Sequence, residues 1–143
     1  MNSPGVISTL TALDYLFVPL KADRMVLEST LNFATTINDR LITTHQSNIK
    51  GLYLFWNMVD RRERNRLFEI YAKGFNQLGL QCMNTMIPVR SNFNKDLAAS
   101  SGVYRCTLFP PDRAFTLECG FDNLMAEVCA LLKLPDYGKE NSK

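Results

Sequence analysis

Two spacings of apolar residues alternate along this chain. Residues 14–20, DYLFVPL, form a short aromatic and β-branched run closed by Pro19 and the polar KADR. Such a run predicts a buried strand with Pro at its carboxyl end. From Arg24 to Thr44 the spacing becomes helical. Val26, Phe33, Ile37 and Leu41 share one face, with Leu27, Leu31 and Ala34 beside them, and Glu28, Asn32, Asp39 and Arg40 take the other. Asp23 stands where an N-cap belongs. After the polar loop THQSNIK, residues 51–59 are continuously apolar except for Asn57, which predicts a second strand. A second helix follows over about 65–78, with Leu67, Phe68, Tyr71, Phe75 and Leu78 inward and Glu69 and Lys73 as an outward i,i+4 pair. Gly79 is its expected C′ stop.

The pattern then repeats with less regularity. LQCMNTMI, ending at Pro88, predicts a third strand. A polar loop, a short small-residue helix around 96–100 and a fourth strand at 104–109, YRCTLF, follow. Phe121, Leu124, Met125, Val128, Leu131 and Leu132 recur at the helical period and predict a final helix. Strands alternating with helices are the grammar of an α/β fold. Near-continuous apolar strands indicate a mainly parallel sheet with flanking helices, because parallel strands are covered on both faces. Residues 1–134 read as the folded unit and 135–143 as a polar, frayed tail. Function in such sheets gathers at the carboxyl ends of the strands. Here those ends are Pro19 to Lys21, Asn57 to Asp60, and Pro88 to Arg90.

Composition narrows the chemistry. The 143 residues carry a net charge of +2, with 46% hydrophobic and 21% charged residues, so any basic function must be local. The four cysteines form no C-x-x-C pair, and His45 is the single histidine. Cys82, Cys106, Cys119 and Cys129 each sit in an apolar run, where a free thiol behaves as a small core residue. No apolar run approaches the ~20 residues of a membrane span, so no membrane partner is expected. The amino terminus lacks the pattern of a secretory signal, and with reduced thiols this points to the cytoplasm. No triad context, nucleophile elbow, H-E-x-x-H or G-x-x-x-x-G-K-[ST] loop is present. The residues themselves therefore describe no nucleotide hydrolase and no catalytic group.

Two features at the second strand's end carry chemistry. Asn57 offers a donor and an acceptor together, which suits the edge of a purine, although a strand-end Asn also commonly bonds local backbone. Arg61, Arg62 and Arg64, with Arg66, Arg90, Arg105 and Arg113, fit either a phosphate- or DNA-binding face or a solvated loop partly neutralised by Asp60 and Glu63.

The order of these segments is more specific than any one of them. ALDYLFVPLKADRMVLEST, GLYLFWNMVDRRERN and MIPVRSNFNKDLAASSG, followed by an amphipathic helix, resemble the carboxyl-terminal half of ParA/MinD-type partition ATPases. In that family AADYVLIPV, GVLLTMVDxRT and IPRxxxLAEAPSxG occur in the same order. Val18-Pro19, Met58-Val59-Asp60-Arg61 and Ile87-Pro88 match closely, and Leu97 to Gly102 match after two extra loop residues. The resemblance covers roughly residues 4–133 and is strongest to ParA-like proteins of conjugative transposons. It implies an incomplete P-loop NTPase, Rossmann-like fold, with Asn57 beside an adenine base and Pro88, Val89 and Arg90 as the other wall. The family's deviant Walker A and Walker B motifs are absent, and NSPGVISTL resembles the segment just after the Walker B acid. The resemblance thus implies the back half of a longer ATPase or a truncated frame. ATP with magnesium belongs to the full-length parent, and this chain alone is not expected to hydrolyse it. Parent partners would be DNA and a partition protein, while Arg61, Arg62 and Arg64 stay open between a DNA-facing surface and a solvated loop. The Tyr15–Val18 strand would be left as an open edge, to be closed by self-association, by the missing amino-terminal half or by the N-terminal residues folding back. A non-enzymatic α/β interaction module or an arginine-based DNA-binding surface is the alternative.

Overall fold

The computed structural model describes residues 4–45, 47–60, 62, 65–90 and 113–135. The expected helix around 96–100, the fourth strand at 104–109, Cys106, Arg61, Arg64 and the tail from 136 lie outside these residues. The elements are α1 (Pro4–Thr11), β1 (Tyr15–Leu20), α2 (Arg24–Ile37), β2 (Gly51–Val59), α3 (Asn65–Gln77), β3 (Gln81–Pro88), α4 (Arg113–Glu118) and α5 (Phe121–Leu132). β1, β2 and β3 form one parallel sheet in that order, with β2 in the middle. The fold is therefore α/β with a parallel sheet flanked by helices. No helix among the described residues is long and apolar enough to cross a membrane.

Alternation along the strands divides the sheet into two faces. Val18 and Leu20 of β1 and Leu52, Leu54, Trp56 and Val59 of β2 bury into one cluster. Leu10 of α1, Leu27, Ala34 and Ile37 of α2, Phe68 and Phe75 of α3, and Leu41, Ile49 and Leu80 complete it. Trp56 is 1% exposed, with its ring edge-on to Phe68 at 4.8 Å and tilted against Phe75 at 5.9 Å. Tyr15, Phe17, Tyr53 and Phe55, one residue out of phase, are half-buried. The Tyr53 ring stacks on Phe17 at 5.5 Å and on Tyr15 at 6.5 Å. Met83, Ile87, Phe115 and Cys119 are buried outside the large cluster, where α4 and α5 meet β3.

Local signals set several boundaries. The Asp23 carboxylate accepts the N–H groups of Met25 and Val26, both at 3.1 Å, and so satisfies two orphan donors at the start of α2. Gly79 takes φ +68°, and the Leu80 N–H bonds to the Phe75 carbonyl while Gly79 N–H bonds to that of Asn76. That is a Schellman stop, and both Phe75 and Leu80 are buried in the core.

Other expectations are corrected. The helix predicted to Thr44 ends at Ile37 and passes into a π-helical turn, Asn38–Ile42. Its buried stripe is Leu27, Ala34, Ile37 and Leu41, whereas Val26 and Phe33 are exposed, because the sheet covers a narrower arc than the apolar stripe spans. Leu78 is exposed, since the Schellman turn carries it outward, and Leu67's side chain lies outside the description. Glu69 and Lys73 are exposed but form no ion pair, consistent with the small energy of such contacts on open surface. Met125 is exposed, and no residue of α5 is fully buried. α1 and α4 are helices that the spacing did not announce. α1 packs Leu10 into the core and makes no ladder with β1.

Candidate functional site

Two irregularities shape the carboxyl ends of β2 and β3. Leu54 pairs with Cys82 and Trp56 with Met86, so Phe55 opposes Met83, Asn84 and Thr85. Next, Trp56 pairs with Met86 and Val59 with Pro88, so Asn57 and Met58 oppose Ile87 alone. The second bulge puts Met58 at φ +57°, a left-handed backbone uncommon for a side chain other than glycine. It also shifts the alternation by one residue, which returns Val59 to the buried face. Asn57 holds the bulge: its Oδ1 accepts the Met58 N–H at 2.9 Å. The bland role of a strand-end Asn is thus realised, with Nδ2 and the second lone pair of Oδ1 unused among the described residues.

Beside this bulge lies a cleft of about 440 Å³. It brings together all four residues expected to line a base pocket: Asn57 from β2, and Pro88, Val89 and Arg90 from the end of β3. The Val89 N–H bonds to the Val59 carbonyl at 2.9 Å and fixes the two strand ends to each other. The cleft is otherwise apolar, with Phe55, Met58 and Ile87 from the strands and Phe121 and Leu124 from α5. In the sequence Phe55 is marked only as part of the apolar run 51–59, and the structure places it half-buried at the cleft. Phe121 and Leu124 carried only a helical period, and nothing local says that α5 returns to this strand end.

Arg90 is held rather than free. Its guanidinium lies 3.6 Å from the Glu118 carboxylate and donates to the Glu118 carbonyl at 3.4 Å. Its Nε is buried and has no hydrogen-bond partner among the described residues. A guanidinium partnered in this way is a poor counter-charge for a phosphate, but it is a fixed planar wall with a spare donor. Arg62 is exposed, and its backbone N–H bonds to the Asp60 carboxylate at 2.9 Å, a local turn contact. Arg61 and Arg64 lie outside the described residues, so the arginine cluster has no described geometry as a group.

Among the described residues, the remaining polar groups do not converge on a second cleft of this kind. The groove between α1 and α2, about 630 Å³, is lined by Val6, Asn32, Phe33 and Thr36 among others. The hydroxyls of Thr30 and Thr36 there are already spent on the carbonyls of Val26 and Asn32. No cluster of three or more potential metal ligands occurs among the described residues. Cys119 is fully buried, Cys82 and Cys129 are half-buried, and all three are free thiols. Burial, then the nearby Glu127 charge, pushes the Cys82 thiol up to about 11, which leaves it inert near neutrality. His45 is exposed beyond the π turn, as a surface residue near a helix end is expected to be.

One functional side chain went unread in the sequence. Glu127, in the middle of α5, accepts the backbone N–H groups of Asn84 at 2.7 Å and Thr85 at 2.9 Å, and the Asn84 side-chain amide at 3.3 Å. Burial alone would raise its pKa, but these donors outweigh burial and lower it. The carboxylate thereby satisfies the N–H groups that the first bulge turns away from β2, and it ties α5 to the strand that carries Pro88. Comparison of the chain with protein families, with curated proteins and with solved structures finds no match.

Proposed function

We propose that this chain supplies the base-binding half of a purine nucleotide site, in the manner of the carboxyl-terminal half of ParA/MinD-type partition ATPases. The observation that carries this reading is convergence. Asn57 and the Pro88-Val89-Arg90 segment, thirty residues apart, line one apolar cleft at the carboxyl ends of parallel strands. Asn57 presents an amide donor and a residual acceptor to that cleft, and Arg90 contributes a fixed guanidinium plane. An apolar slot with a few convergent polar groups is what a flat heteroaromatic ring requires. No residue of the chain is assigned to phosphate, magnesium or catalysis. ATP with magnesium and a role in partition or transposon transfer belong to a complete site and enter only with the family resemblance; a DNA-binding surface on Arg61, Arg62 and Arg64 is the separate alternative, independent of nucleotide.

The test is an NMR titration of the chain with adenosine, ADP and inorganic phosphate, following the Asn57 side-chain amide. Adenosine and ADP should shift Asn57, Val89 and Arg90 to similar extents, because the contacts are to the base, and phosphate alone should not. Asn57→Ala should weaken adenosine binding about fivefold, the worth of one net hydrogen bond of about 1 kcal/mol. Binding that depends on the phosphates and not on the base, or unchanged affinity in Asn57→Ala, would overturn the reading.

A further inference from the structure

Among its described lining residues, the strand-end cleft has one ionisable group, the Arg90 guanidinium. The charge that the cleft presents is therefore decided by what stands beside that group. Glu118, the last residue of α4, meets it twice, in two different ways. Its carbonyl accepts an Arg90 N–H at 3.4 Å, and its carboxylate lies 3.6 Å from the same nitrogen. The first contact places the guanidinium, and the second cancels its charge. The corner that carries Glu118 is anchored in the core. Phe115 and Cys119 are buried, the Cys119 N–H bonds to the Phe115 carbonyl, and Gly120 turns the chain into α5 at φ +73°. Backbone and core thus set the Glu118 carbonyl, whereas the exposed carboxylate is joined to Arg90 by charge.

We infer that Glu118 determines the specificity of this cleft: by neutralising Arg90 it makes the site select an uncharged heteroaromatic ring, a base or nucleoside, and refuse phosphate at the Arg90 wall. The inference rests on the reading of the cleft as a base site and adds its charge preference. A phosphate takes a free guanidinium readily, through charge-assisted and often paired hydrogen bonds. Here it would have to displace a carboxylate that stays tethered beside the guanidinium, and would remain next to that like charge. An uncharged ring meets no such opposition, since it packs on apolar walls and on the guanidinium plane. A nucleotide seated by its base must accordingly lead its phosphates away from Arg90. The ion pair itself contributes little to stability, because the Glu118 side chain is 65% exposed and water screens it. Its consequence is selectivity.

Glu118→Gln and Glu118→Ala test this, since both keep the carbonyl and delete the charge. Adenosine, ADP and inorganic pyrophosphate are titrated into the wild type, each variant and the double variant Arg90→Gln/Glu118→Gln. The Arg90 Nε–H resonance reports the site, and Trp56 emission reports that the core is intact. Relative to adenosine, ADP should bind about tenfold more tightly to either single variant than to the wild type, as one hydrogen bond to a charged group contributes. Pyrophosphate should shift Arg90 in the single variants and not in the wild type. The gain in ADP affinity should fade in about 0.5 M sodium chloride and vanish in the double variant. With adenosine bound, an unchanged ADP-to-adenosine ratio, or a gain that survives the loss of Arg90, would overturn the role of Glu118 and leave the base reading standing. Failure of adenosine to bind the wild type would overturn the base reading, and pyrophosphate would then decide for Glu118. An equal response of Arg90 to pyrophosphate with and without the carboxylate, or none in either, would overturn the charge selection as well.

Discussion

Replacing Glu127 by Gln preserves the length of the side chain and removes its charge. One carboxylate oxygen accepts the Asn84 N–H and the other that of Thr85. In Gln one of these atoms becomes an NH2 group and faces a backbone donor. One hydrogen bond to a charged acceptor is then lost and the other becomes neutral. Hydrogen bonds to charged groups contribute about 1.5–3 kcal/mol each, and the exposure of Asn84 argues for the low end, so the cost is roughly 2 kcal/mol. For a urea slope near 2 kcal/mol/M the midpoint should fall by about 1 M. Trp56 is the sole tryptophan and lies in the large core, so its fluorescence reports unfolding without ambiguity. The pH dependence supplies a sharper check. Because the folded pKa of Glu127 is lowered, its contribution is complete above the unfolded carboxyl range, near ~4.3, and disappears as pH falls through the folded value. The stability gap between wild type and Glu127→Gln should stay constant from pH 7 to about 5 and close on further acidification. A midpoint shift below about 0.2 M, or a gap that widens in acid, would refute the assignment of Glu127 as the carboxylate that secures β3.

Substitutions at three further positions test the local arguments by the same unfolding assay. Gly79→Ala forces a Cβ into φ +68° at the end of α3 and should cost about 1 kcal/mol. Met58→Gly should relieve the left-handed strain at an exposed bulge and stabilise the chain by roughly 0.5 kcal/mol, with the loss of backbone entropy limiting the gain. A destabilised Met58→Gly variant would mean that the Met58 side chain packs usefully despite its exposure. Asp23→Ala removes acceptors for two helix-start N–H groups and should lower stability by about 1 kcal/mol, while Asp23→Asn should recover most of it.

The large core was legible because it is written in local periods. β1 and β2 fall on nearly continuous apolar runs and β3 on a less regular one, and Phe68 and Phe75 recur on the same face of α3, so strand and helix could be separated before any contact was known. Asp23 and Gly79 act through chemistry that reaches only two to five residues, and their sequence signal was correspondingly clear. The outward placement of Val26, Phe33 and Met125 was not legible, because period assigns a residue to a helix face and does not say how wide an arc a neighbour covers. Glu127 left a trace that went unread: it lies in the stripe of Leu124, Val128 and Leu131, and an acid on an apolar stripe requires hydrogen-bond donors. Those donors are backbone N–H groups freed by a bulge some forty residues earlier, and no sequence period encodes a bulge. The amide, the proline and the guanidinium of the cleft were each visible in the sequence alone. That they share a cleft with Phe121 and Leu124 was decided by tertiary structure, because only the packing of α5 on β3 carries that distant helix to the strand ends.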